Sequence, residues 1–297
     1  MPYAYLDTAA HADEALILGQ LLKDRASGQL QFWGTARKNN LVMVAASLQE
    51  WDTQQLGMGC ASLKWLLVHG DDAICASLLG QMAEDVQGWC YENNAALLAC
   101  KVDCGKLAIV HGLEEWGMKI IDCELVWAAD PQKPLVAKIL PNIAIENRQG
   151  EEVEGIADLG RVFKLDRLHA DYRIDDAKAD ALWGESLKNA CREGADQVII
   201  ARVNGQLIGV VTCFIAWEAA EYLAGPVCDL VHVAVDPAWS GKGVGKAMIA
   251  RALSWARDEV KFVQVGTQAR NYAANALYKG MGFDLVHSQY SMHAYWP

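Results

Sequence analysis

Apolar positions along the chain fall into two recurring patterns, short continuous or alternating runs and stretches spaced three to four residues apart. Leu41–Leu48 and Cys60–His69, rich in apolar and β-branched residues, predict strands. Between Asp71 and Glu92 the residues Ile74, Leu78, Met82 and Val86 recur four apart, which predicts one helix. Ala95–Val102 predicts a strand, Lys106–Trp116 a helix halted by Gly117, and Met118–Trp127 a further strand. The segment from Ala128 to Pro134, with two prolines among small polar residues, predicts a linker.

After the linker the theme returns. Ile139–Glu146 predicts a strand, and Glu151–Phe163 and Asp176–Glu193 predict helices. Asp196–Val203 and Leu207–Trp217 predict a hairpin around Asn204-Gly205, a dipeptide suited to a tight turn. Cys228–Val235 predicts a strand running into Asp236-Pro237. Helix Val244–Glu259, strand Phe262–Thr267, helix Tyr272–Met281 and two closing strands complete the pattern. Both halves end alike. Leu113-Glu-Glu-Trp-Gly117-Met118 parallels Tyr278-Lys-Gly-Met-Gly282-Phe283, each a helix, a glycine and an apolar strand. The expected fold is therefore α/β (an α+β mixed sheet) in two related units, 1–130 and 135–297. Only the second carries a glycine-rich loop after a strand, and Leu113 stands where it has Tyr278.

Composition narrows the partners. The 297 residues are 53% hydrophobic and 21% charged, enough to build a core in each half, and the net charge is −11. That balance argues against nucleic acid or an anionic membrane as the main partner. Ser240 to Lys279 departs from it, with Lys242, Lys246, Arg251, Arg257, Lys261, Arg270 and Lys279 against Asp258 and Glu259. A basic stretch in an acidic chain points to a small anion, although a solvated helix face accounts for part of it. The nine cysteines form no Cys-x-x-Cys pair and no zinc-spaced cluster, so no metal is expected. Dispersed cysteines, no basic-then-apolar start at Met1–Tyr5 and no apolar run near the ~18–20 residues of a membrane span predict a soluble cytoplasmic protein.

The sharpest local signal is Val233-Ala-Val-Asp-Pro237-Ala-Trp-Ser240-Gly-Lys-Gly-Val-Gly-Lys246. Glycines let backbone N–H groups approach an anion, a helix start adds partial positive charge, and Lys242 and Lys246 add full charges. The spacing fails for a P-loop, because Ser240 stands at the first glycine and Ala247 follows Lys246; it fails for a dinucleotide fingerprint as well. It resembles the GNAT superfamily pattern Gln/Arg-x-x-Gly-x-Gly/Ala, with Ser240 in the Gln/Arg position. Asn271-Tyr-Ala-Ala274-Asn-Ala-Leu277-Tyr278-Lys-Gly-Met-Gly282-Phe283 matches that superfamily's Asn-x-x-Ala-x-x-Leu-Tyr-x-x-x-Gly-Phe. The resemblance implies tandem GNAT-like units, the first degenerate and the second catalytic, with acetyl-CoA as co-substrate. It implies that Val233, Ala234 and Val235 line the thioester arm. Gly241, Lys242, Gly243, Val244, Gly245 and Lys246 would bind the pyrophosphate, Asn271 and Ala274 the cofactor arm, and Tyr278 would face the sulfur as general acid.

A second resemblance, to the dTDP-fucosamine acetyltransferase family, rests on Trp51-Asp52…Gly57, Leu113-Glu114…Gly117, Arg167-Leu-His-Ala-Asp171-Tyr, Trp183 to Asn189 and the aromatic end Tyr290…Tyr295-Trp296. It departs at Gln55-Leu56, Leu168 and Tyr172. It implies that the acceptor is the 4-amino group of a nucleotide-linked amino deoxysugar. Arg167, His169, Asp171 and Tyr172 are the candidate acceptor contacts, Arg167 for a phosphate and Asp171 for sugar hydroxyls. The same residues equally serve to cap the helix starting near Asp175 and to pair with one another. The base is left open: His232 on the reacting strand or Asp229 three residues earlier could pass the proton to water, but a histidine on an apolar strand is more often a hydrogen-bonded core residue, and neither is assigned a catalytic role. Other acceptors (a protein N-terminus, lysine, polyamine or aminoglycoside), a non-catalytic acyl-CoA sensor and a homodimer remain open.

Overall fold

The computed structural model describes residues 19, 21–26, 28–133, 141–221, 223 and 225–296. They form two compact units. The first comprises Leu18–Glu124, Ala170–Asp175 and Ser288–Pro297; the second comprises Leu125–His169 and Asp176–His287. This division departs from the expected 1–130 and 135–297. The last strand's second half pairs inside the first unit, and Asp171 bonds to it, which draws 170–175 and 288–297 there.

The first unit contains β1 (Gln31–Arg37), β2 (Asn40–Leu48), α1 (Glu50–Leu56), β3 (Cys60–His69), α2 (Asp72–Gly80), α3 (Ala83–Glu92), β4 (Leu97–Asp103), α4 (Leu107–Glu115) and the start of β5 (Lys119–Ala129). The single helix expected over Asp71–Glu92 is two. The chain breaks at Gly80-Gln81-Met82, and buried Leu78, Leu79, Met82, Val86 and Cys90 feed one core from both pieces. β1 escaped the hydrophobic pattern because its residues are mostly exposed or half-exposed along an edge.

The second unit contains the end of β5, β6 (Ala144–Arg148), a 3₁₀ helix over Ile156–Val162, α5 (Arg167–Ala170), α6 (Asp176–Asn189), β7 (Gln197–Val203), β8 (Gln206–Ala216), β9 (Val227–Val235), α7 (Val244–Ala256), β10 (Phe262–Gln268), α8 (Tyr272–Gly280) and the first residues of β11 (Asp284–Tyr295). The α-helix expected over Glu151–Phe163 is only the 3₁₀ segment, preceded by Gly155 in the left-handed region. Two closing strands were expected; one twelve-residue strand is found, since nothing between Asp284 and Tyr295 can turn the chain. The start of the strand expected at Ile139 and the end of the linker at Pro134 lie outside the described residues.

The mixed sheet of the second unit runs β10-β9-β8-β7-β6, with α7 and α8 packed on one face and the 3₁₀ helix and α6 on the other. The latter pair crosses closely. A Cβ on Gly160 would lie 2.5 Å from the Gly184 nitrogen, so glycine is required at the crossing.

The first unit, ordered β1-β2-β3-β4-β11, repeats the internal plan of the second. In each, the strand before the parallel pairing runs antiparallel to its predecessor and carries a one-residue bulge, at Lys64 in β3 and at Val231 in β9. In each, that strand pairs in parallel with the next only near its start. The closing corners coincide in detail. Met118 N–H donates to Leu113 C=O and Phe283 N–H to Tyr278 C=O, both at 3.1 Å, across left-handed Gly117 and Gly282. This is the tandem arrangement, a duplication visible in hydrogen bonds as well as in sequence.

A candidate acyl-CoA site in the second unit

The site is built around the parting of two parallel strands. β9 and β10 pair over Val227–Asp229 and Phe262–Gln264; the ladder stops there, while β9 continues to Val235 and β10 to Gln268. Parting leaves strand N–H and C=O groups without their sheet partners, and such groups seek another partner. An extended ligand rich in amides meets that need. Val233 and Val235 are half-buried beside the parting and Ala234 is buried on the opposite face, toward the 3₁₀ helix and α6.

At its end β9 runs into Asp236, whose carboxylate accepts from Ala238 N–H at 2.8 Å and shapes the turn. Gly241 (φ 72°) and Gly243 (φ 87°) occupy the left-handed region, where a side chain would strain the backbone. Gly243 is also the N-cap of α7, and having no side chain it leaves the first-turn N–H groups uncapped. Lys242 and Lys246 are exposed there, the Lys242 ammonium 4.6 Å from the centre of the Trp239 ring. Gly245 fits against Val235 and Leu277, so loop, strand and α8 meet at one point. Uncapped amides, two lysines and a helix start together suit a diphosphate. The first unit treats the matching place differently: Asp71 caps α2, its Oδ1 accepting from Ala73 and Ile74 N–H at 3.1 and 3.0 Å. Its own carboxylate stands where an anion would bind.

Tyr278 lies on α8, 3% exposed, with its ring 5.8 Å from that of Phe283. Among the described residues its hydroxyl has no hydrogen-bond partner, and burial raises its pKa above the usual tyrosine value. The phenol is therefore protonated at neutral pH. Asn271 caps α8, its Oδ1 accepting from Ala274 N–H at 3.3 Å and its Nδ2 donating to Thr267 Oγ1 at 3.1 Å. Neighbouring Asn275, a variable position of the motif that spacing did not single out, does more. Its Nδ2 reaches the carbonyls of Gln268, Ala269 and Asn271, and its Oδ1 accepts from the Trp127 indole.

The candidate acceptor contacts are largely engaged by the protein. His169 is clamped by Asp166 (2.5 Å) and Asp180 (3.2 Å), and Asp180 also pairs with Lys164. Asp171, in the first unit, accepts from His293 Nδ1 and the Tyr295 hydroxyl, each at 2.8 Å, and from Arg173 N–H. Burial pushes its carboxyl up, but these bonds outweigh it and hold the pKa below the ordinary range. Tyr172 is 87% exposed with Arg173 near its ring, and Arg167 is half-buried on α5. His232 is 1% exposed, with Nε2 on Ser186 Oγ (2.9 Å) and Nδ1 on Thr212 Oγ1 (2.7 Å); burial lowers its pKa to about 4. It packs against Trp183, which opens the Trp183–Asn189 segment of the second resemblance, and against Phe163, which no motif marked. Asp229 takes a hydrogen bond from Gln264 at the last rung before the strands part.

A groove of about 560 Å³ opens at the start of the loop, lined by Asp158, Arg161, Arg202, Gln206, Asp236 and Pro237 among others. Among the described residues there is no cluster of three or more His, Cys, Asp or Glu fit for a metal, and no helix is long and apolar enough to cross a membrane.

Comparison with known proteins agrees with this geometry. Residues 163–283 match the sequence model of the Acetyltransferase (GNAT) family. Over 152 residues the chain is 29% identical to the spore coat polysaccharide biosynthesis protein SpsD of Bacillus subtilis, covering 49% of this chain and 48% of that protein. Over 57 residues it is 42% identical to the N-alpha-acetyltransferase RimI of Mycobacterium tuberculosis, covering 19% and 35%. The chain thus spans less than half the length of the curated relatives it matches. Among solved structures, a tandem GNAT protein from the clavulanic acid biosynthesis pathway superposes with a TM-score of 0.54 at 14% identity, covering 91% of this chain and 84% of that one. Residues 163–283, from Phe163 through the glycine loop to Phe283, thus match the GNAT family model, and the chain shares its fold with a tandem GNAT protein.

Proposed function

We propose that the second unit transfers an acetyl group from acetyl-CoA to a primary amine. The observation that carries this reading is the uncapped start of α7 at Gly243, beside strands that part and a buried phenol at Tyr278. Gly241 to Lys246 hold the diphosphate, Val233 to Val235 and Ala274 line the arm, and Asn271 fixes the start of α8. The neutral amine attacks the thioester carbonyl, strand N–H groups steady the oxyanion, and the C–S bond breaks. Tyr278 gives its proton to the departing thiolate and is reprotonated from water, which also carries off the proton lost by the amine. His232, buried with both ring nitrogens hydrogen-bonded, is read as a core residue rather than as the base.

For the acceptor we propose the 4-amino group of a nucleotide-linked amino deoxysugar. The similarity to a polysaccharide biosynthesis protein over half the chain supports a sugar. Arg167, His169, Asp171 and Tyr172 remain the candidate acceptor contacts, with His169 and Asp171 also serving as internal braces within their own units. The shorter match to an N-alpha-acetyltransferase favours a second reading, a protein N-terminus.

Calorimetry with acetyl-CoA, followed by thiol-release assays against nucleotide-linked amino sugars and against peptides, tests both. Release only with peptides overturns the sugar reading. Tight binding with no transfer to any amine makes the protein a sensor rather than an enzyme.

A further inference from the structure

Seven of the nine cysteines are buried; Cys104 and Cys123 are partly exposed, and their sulfurs lie 3.8 Å apart within the first unit. Cys104 begins the turn between β4 and α4, anchored by its N–H to Ser288 C=O at 3.1 Å, and Cys123 sits on β5. Between them in sequence lies α4 with its glycine corner. The Tyr290 hydroxyl is in hydrogen-bonding contact with Cys104.

We infer that Cys104 and Cys123 are a modification site, a dithiol that small-molecule disulfides convert to an internal disulfide stapling the α4 corner. Closing the sulfurs from 3.8 Å to bonding distance requires side-chain rotation within a turn and a strand already held in place. One cysteine thiolate attacks a sulfur of the small disulfide, forming a mixed disulfide and expelling one thiolate. The second cysteine then attacks the protein-bound sulfur, expelling the other. Two thiols of the protein are oxidised, one disulfide is reduced to two thiols, and the two protons pass to the leaving thiolates.

The local charges select the reagent. Asp122 and Glu124 flank Cys123, with Lys101 paired to Glu124 at 2.5 Å; burial first, then Cys104 and these carboxylates, push the Cys123 thiol up to about 11. A neutral disulfide therefore approaches more readily than an anionic one, and reaction quickens at alkaline pH.

The test treats the reduced full-length protein with excess 2-hydroxyethyl disulfide at about pH 8.5, followed by acid quench and intact mass measurement. The expected result is a loss of about two mass units, a digest peptide joining Cys104 to Cys123, and seven cysteines that take up N-ethylmaleimide only after denaturation. Cys104→Ser and Cys123→Ser should each gain a single mercaptoethanol adduct on the remaining thiol. Stable adducts on both cysteines of the wild type, or no reaction at either, overturn the inference.

Discussion

The Trp127 indole N–H donates to Asn275 Oδ1 at 2.8 Å, linking the end of β5 to the first turns of α8. The same asparagine shares its Nδ2 protons among the Gln268, Ala269 and Asn271 carbonyls in the connection from β10 to α8, so one side chain fixes the approach of α8 to the parted strands. Asn275→Ala leaves the buried Trp127 indole without its acceptor and removes the side-chain bonds to the three carbonyls, of which Gln268 and Asn271 keep a backbone N–H donor. A loss of about 2–3 kcal/mol in unfolding free energy is expected in denaturant titration. A loss under about 0.5 kcal/mol would mean the network is incidental.

Tyr278→Phe keeps the ring packed on Phe283 and removes only the proton. Turnover should fall by ~10²–10⁴-fold while acetyl-CoA affinity by calorimetry stays within about twofold. Because burial raises the pKa of this phenol, wild-type activity should show no alkaline loss attributable to Tyr278 below about pH 10. Unchanged turnover in the variant removes Tyr278 from the reaction.

His232 titrates near 4 in the folded protein against 6.5 unfolded. Between those values the unfolded chain binds the extra proton, so stability rises with pH through the window and is lost as pH falls from 6.5 toward 4. The full contribution is about 3 kcal/mol. His232→Gln should flatten this part of a stability-against-pH curve measured in urea. If the wild-type curve and the variant's fall in parallel, another group is responsible.

Gly160→Ala would place a methyl 2.5 Å from the Gly184 nitrogen, forcing the 3₁₀ helix off α6. We expect about 3 kcal/mol of destabilisation. Gly184→Ala meets the Ala157 carbonyl oxygen at 3.1 Å and should cost less. Reversal of that order in thermal unfolding would contradict the crossing described.

Much of this molecule was legible beforehand, for identifiable reasons. Strands dense in apolar residues, such as Cys60–His69 and Cys228–Val235, announce themselves because most of their positions are buried or half-buried. The Gly241–Lys246 loop and the Gly282 corner were readable because backbone geometry there demands glycine. What escaped depends on partners far away in sequence. Edge strand β1 has no buried face to pattern it, and the break in the Asp71–Glu92 helix follows from packing around Met82. Asp171 reads as a surface acid suited to sugar hydroxyls until His293 and Tyr295, more than a hundred residues on, claim it. Asn275 looked like a spacer because its importance lies in Trp127.

The contrast between Asp71 and Gly243 bears on how a copied module falls silent. A helix start that holds its own carboxylate is electrostatically complete, whereas one that begins on glycine remains hungry for an anion. Moving from the second condition to the first destroys a binding function and strengthens the fold in the same step. On the proposed function, a copy that made this change would lose its ligand without losing its fold.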